Sequence, residues 1–152
     1  MPQLPDDLDA VAVRTWCSLA LEALGRERAE IDAINVYPVA DGDTGTNLYL
    51  TFESAAAAVE AVFAAHETGT TAPATADAVR AMAHGALIGA RGNSGTILAQ
   101  LLRGMAGVLA DGGGADRLRL ALASAADAAR QAVAHPVEGT CLLYTSSSPR
   151  EL

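Results

Sequence analysis

Ile97-Leu98-Ala99-Gln100-Leu101-Leu102-Arg103-Gly104-Met105-Ala106-Gly107-Val108-Leu109 is the stretch on which the fold turns. Its large apolar residues, Ile97, Leu98, Leu101, Leu102, Met105, Val108 and Leu109, recur at the i, i+3 and i+4 spacing that lines one face of an α-helix. They form the broadest apolar stripe in the chain, so this helix is expected at the centre of the fold. Glycine-rich stops bracket it: Gly89-Ala90-Arg91-Gly92-Asn93-Ser94-Gly95 before and Asp111-Gly112-Gly113-Gly114 after.

The same period runs through the neighbouring segments. Leu8, Val11, Ala12, Thr15, Trp16 and Leu19 predict a first helix from an Asp6-Asp7 start, where acids suit the cap and the helix dipole, to about Arg26. A short apolar segment, residues 31–34, then leads into a loop where Pro38 and Gly42 deny regular structure. Leu48, Phe52, Ala55, Val59, Val62 and Phe63 predict a second helix ending near His66. Val79, Met82, Ala86 and Leu87 predict a third over about 75–88. Leu118, Leu122, Ala125, Ala129 and Val133 predict a last one stopped by Pro136. No segment alternates as strands require, so the fold class is all-α, and five to six helices with short loops imply an up-and-down bundle.

Composition narrows the function. The 152 residues fit one domain, and alanine clusters at 55–58 and 121–134 point to helices packed through small side chains. A net charge of −8 argues against nucleic acid or an anionic membrane surface as partner. All ten basic residues are arginine. Without lysine there is no Walker A lysine, no protein-kinase strand lysine and no Schiff base. The start carries no secretory signal, and no uninterrupted apolar run reaches the roughly 18 residues of a membrane span. Two cysteines make no disulfide framework, and Cys17 falls where a buried helical thiol is expected. A cytoplasmic location follows.

The chemistry concentrates in Asn35-Val36-Tyr37-Pro38-Val39-Ala40-Asp41-Gly42-Asp43-Thr44-Gly45-Thr46-Asn47. Asp41 and Asp43 offer hard oxygen ligands beside a helix start that Thr44 is able to cap. Mg²⁺ takes one or two such carboxylates together with substrate phosphates, and helix N-termini supply N–H groups to phosphate. A calcium-binding EF-hand fails on register: counted from Asp41, Thr46 falls where glycine is needed and Phe52 at the twelfth position. The loop 89–95, with Asn93 and Ser94 at the next helix start, reads as a second anion cradle. Arg91 is equally a phosphate contact or a solvated loop arginine. His66 and His84 read as helix-end or surface residues, and no His, Cys and carboxylate spacing suggests zinc.

Taken with His135-Pro136-Val137-Glu138-Gly139-Thr140, these two motifs and the preceding Ile31-Asp32-Ala33-Ile34 closely resemble the nucleotide-binding DhaL domain, in the variant found at the N-terminus of bacterial fatty-acid kinases. The match covers about residues 8–140, in order. The resemblance implies an antiparallel α-helical barrel holding ATP or ADP at one end, with two Mg²⁺ ions bridging phosphates to loop carboxylates. It assigns Asp41, Asp43 and, with different spacing, Asn35 to metal. Thr44, Gly45, Thr46 and Asn47, then Gly92, Asn93, Ser94 and Gly95, are assigned to the phosphates, and Glu138, Gly139 and Thr140 to the strip near the nucleoside. The implied reaction is phosphorylation of a fatty-acid carboxylate delivered by a separate lipid-binding protein.

Two rivals share parts of this pattern. The ADP-binding subunit of a dihydroxyacetone kinase has the same domain, but shows a histidine where this chain has Thr44. A non-catalytic helical cation-binding module would lack Mg²⁺-dependent ADP affinity. Ala40 stands where the family often has proline, and Leu48 where it has methionine. Family members continue beyond the third motif into further helices and domains. Residues 141–152 instead resemble the translation of a transposon-type sequencing adaptor, so the domain is expected to span 1–140, incomplete at its C-terminus, with a non-native tail. Such a fragment is expected to expose apolar helix faces and to be inactive alone.

Overall fold

The computed structural model describes residues 8–34, 42–69, 71–112 and 114–133. They form five helices and, among the described residues, no strand: α1 (Ala10–Ala33), α2 (Thr44–His66), α3 (Thr75–Ile88), α4 (Gly92–Leu109) and α5 (Ala115–Ala132). The all-α expectation holds.

The first helix departs from the reading in three ways. It runs on to Ala33 rather than ending near Arg26, and Gly25 within it lies against the Tyr49 ring, where a Cβ would come within 3.3 Å. Asp9 caps it, its carboxylate accepting from the Ala12 N–H at 2.8 Å, whereas Asp6 and Asp7 fall outside the described residues. Its buried face is Ala10, Val13 and Cys17, leaving Val11, Trp16 and Leu19 exposed. Trp16 still meets Phe52 edge-on at 5.5 Å.

Consecutive helices run antiparallel. Arg14 near the start of α1 makes a two-pronged ion pair with Glu60 near the end of α2, both bonds 2.8 Å, and its guanidinium lies 4.7 Å over the Phe63 ring. Gly85 of α3 meets Ala58 and Ser54 of α2, and Gly104 of α4 meets Ser124 and Ala128 of α5, at distances that leave no room for a side chain. Alternation therefore puts the starts of α2 and α4, and the ends of α1, α3 and α5, at one end of the bundle. The other end is marked by Thr75 Oγ1 donating to the Leu8 carbonyl.

The core is shared by α2, α3 and α4, with Phe52, Val59, Val79, Met82, Leu102 and Leu109 buried among alanines. By length and composition α2 is sufficient to cross a membrane. Here it packs against α1, α3 and α4. α5 packs chiefly on α4 and buries alanine (Ala121, Ala125, Ala128, Ala129). The expected stripe is corrected there: Leu118 and Leu122 remain 42% and 55% exposed, because the glycine at 104 draws α5 in by its small-residue face. Leu87 of α3 is likewise exposed.

Candidate functional site

At the end where α2 and α4 begin, the first two turns of the two helices lie side by side and parallel. Asn47 packs on Gly92, and one turn further on Thr51 packs on Gly95. Gly92 adopts φ +64°, a left-handed conformation that admits glycine readily and other residues at a cost. The fully buried Thr51 hydroxyl accepts the Arg91 N–H at 3.0 Å and so ties the α3–α4 turn to α2. The starts of α2 and α4 thus form one continuous surface.

Their helix starts are not equivalent. Asp43, rather than Thr44, occupies the N-cap position of α2, and Thr44 is buried as the first helical residue. The next donors are already engaged by α1. Asp32 Oδ1 accepts the Thr46 N–H at 3.0 Å, Oδ2 accepts the Thr46 hydroxyl at 2.7 Å, and the Gly45 N–H also bonds this carboxylate. Arg28, stacked on Tyr49 at 5.3 Å, donates through Nε to Thr46 Oγ1 at 3.0 Å. Burial alone would raise the Asp32 carboxyl, but these hydrogen bonds and the Arg28 charge hold it below its ordinary range.

At α4 the first intrahelical bond runs from Gly95 N–H to the Arg91 carbonyl, at 3.0 Å. The N–H groups of Gly92, Asn93 and Ser94 precede it, and among the described residues no side chain caps this helix. Gly92 and Asn93 are exposed and Ser94 is half-buried. A helix start of this kind is an anion receptor by its donors and its dipole.

Asp43, Thr44, Gly45, Thr46, Asn47, Gly92, Asn93, Ser94 and Gly95 therefore lie together. Asn35 and Asp41, and Glu138, Gly139 and Thr140, lie outside the described residues, although α5 brings the chain to Val133 at this same end. Among the described residues no group of three or more His, Cys, Asp or Glu side chains could hold a metal ion alone. A Mg²⁺–phosphate group still fits the donor chemistry, since Mg²⁺ draws on one or two carboxylates and completes its shell with water and phosphate oxygens.

Three residues escaped the sequence reading: Asp32, Arg28 and Thr51. Asp32 carried little signal, because a helix read as ending near Arg26 does not include it and its partner Thr46 lies fourteen residues on. Thr51 carried none that separates it from any helical threonine.

The sequence profile of the DAK2 domain matches residues 38–146. The chain belongs to the DAK2 domain family. This DhaL-type, dihydroxyacetone-kinase-like nucleotide-binding domain is the one its motifs resemble. The DAK2 chain is 37% identical over 143 residues to Protein YloV of Bacillus subtilis, covering 91% of this chain and 24% of that protein. It is 40% identical over 122 residues to an uncharacterized protein of Staphylococcus haemolyticus (79% of this chain, 21% of that one). A Staphylococcus saprophyticus protein is 41% identical over 116 residues (74% and 19%). The DAK2 chain thus spans about a fifth to a quarter of the length of these curated relatives.

Proposed function

We infer that this chain is the ATP- or ADP-binding domain of a Mg²⁺-dependent kinase that phosphorylates the carboxylate of fatty acids presented by a lipid-binding partner. The observation that supports the reading is the parallel, side-by-side start of α2 and α4, one bearing Asp43 and the other an uncapped run of N–H donors.

Asp41, Asp43 and Asn35 are the residues that would hold two Mg²⁺ ions. Bound Mg²⁺ neutralises and orients phosphate oxygens, which is most of what phosphoryl transfer asks of a protein. The α4 donors at Gly92, Asn93 and Ser94 would supply N–H groups to the phosphate beside them. Thr44 and Asn47 line the α2 side, and Glu138, Gly139 and Thr140 serve the nucleoside. No strong base is needed, because a fatty-acid carboxylate is already ionised near pH 7. Thr44, in place of a histidine, weighs against a dihydroxyacetone kinase subunit. The lipid-binding partner would be engaged by segments beyond this domain, in the cytoplasm, and the domain alone would transfer no phosphate.

Calorimetry of ADP binding with Mg²⁺ and with chelator tests the reading. Mg²⁺-dependent binding is expected, weakened at least tenfold in Asp43→Asn. An affinity indifferent to both Mg²⁺ and this substitution would remove the metal assignment.

A further inference from the structure

We propose that Asp32 is a positioning residue that acts as a resident anion for α2, closing the Gly45 and Thr46 donors to phosphate and leaving the α4 start as the phosphate receptor. It deepens the nucleotide-binding reading and rests on it for the identity of the anion.

The geometry is that of a ligand supplied from within. A helix start leaves its first N–H groups unsatisfied and attracts negative charge. At α4 no side chain among the described residues answers that demand, whereas at α2 both Asp32 oxygens do, at 3.0 Å and 2.7 Å from the nitrogen and hydroxyl of Thr46. The approach is enforced by close packing. A Cβ on Gly45 would overlap the Arg28 carbonyl, lie 3.0 Å from Ile31 Cβ and sit 3.1 Å from Asp32 Oδ1, so the end of α1 is pressed onto the start of α2. Arg28 holds the other side of the Thr46 hydroxyl. Thr46 is therefore saturated by α1, and an incoming phosphate would have to displace a carboxylate of like charge to reach it. Asn47, one residue on, instead buttresses Gly92 at the receptor that remains.

The test follows backbone amide resonances of the ¹⁵N-labelled 152-residue chain during titration with inorganic phosphate. In the unmodified chain the Gly45 and Thr46 amides are expected to stay unmoved. In Asp32→Ala they are expected to become saturable phosphate responders, with at least tenfold tighter apparent binding at those two positions. If far-UV circular dichroism shows that Asp32→Ala is unfolded, Asp32→Asn, which keeps the volume and drops the charge, is scored by the same criterion. Saturable shifts of Gly45 and Thr46 in the unmodified chain, or no gain in the folded variant, would overturn the proposal. Calorimetry with Mg²⁺ and ADP separates the two readings. Absence of nucleotide binding defeats the kinase-domain reading while the phosphate contrast is scored by itself. Nucleotide binding without that contrast defeats the Asp32 role alone.

Discussion

Asn47 of α2 and Gly92 of α4 touch so closely that a Cβ on Gly92 would lie 2.5 Å from the Asn47 side-chain nitrogen. That contact, together with the positive φ of Gly92, fixes how the two helix starts face each other. Gly92→Ala is expected to destabilise the fold by about 1–3 kcal/mol, combining left-handed strain with overpacking. Chemical denaturation measures the loss. Nucleotide affinity should fall further than stability predicts, because the α4 donors are displaced.

Thr51→Val keeps the shape of a fully buried side chain and removes its hydroxyl. The Arg91 N–H then loses its partner across the α2–α4 seam. A cost of roughly 1 kcal/mol is expected, at the low end of the penalty for an unmet donor because Arg91 borders solvent. Faster hydrogen exchange at the Arg91 amide would accompany it, and an unchanged exchange rate would show that the bond is not made.

The sequence carried the helices better than their faces. Periodicity located α3 and the end of α2, and glycine clusters marked the turns, because both signals are local. The buried face of α5 was misjudged in favour of Leu118 and Leu122. Which face turns inward depended on Gly104, a residue in another helix whose missing side chain lets alanines approach. The site divided in the same way. Asp43 and Asn93 lie in glycine-rich stretches whose composition singles them out, whereas Asp32 is fourteen residues away from its partner Thr46.

Acid should weaken the bundle through Asp32. Its carboxyl is held below its ordinary value of 3.8 in the folded chain, so the unfolded chain takes up the proton first as the pH falls. The stabilisation is complete well above that value, declines as the pH approaches and passes below it, and is gone beneath the folded value. Melting temperatures of the parent chain and Asp32→Asn should therefore differ near neutral pH and converge at acid pH. A constant gap would show that the carboxylate's charge contributes nothing.

Cys17 should be chemically silent in the folded chain. Burial, assisted by the negative charge of Glu60, pushes its thiol up to about 12, and the residue is 2% exposed. Alkylation at pH 8, followed by peptide mapping, is expected to modify Cys17 only at the rate of unfolding. Rapid labelling without denaturant would contradict the packing of α1.

Leu118 and Leu122 leave apolar surface of α5 exposed. Replacing both with glutamine leaves the alanine face on α4 untouched, so stability should change by no more than about 0.5 kcal/mol per site. Light scattering should show a higher concentration threshold for self-association, as exposed apolar patches predict.

The alternation of the helices also divides the molecule into an end that carries the candidate site and an end that can be rearranged. The connections after His66 and Leu109 both lie opposite the paired starts of α2 and α4. New termini opened near Gly69 or Gly112 would leave Asp32, Asn47, Thr51 and Gly92 in their places, whereas a cut in either of the other two connections would sever the site. The chain thus has two positions where reporters or inserted domains can be carried without touching the surface shared by the starts of α2 and α4.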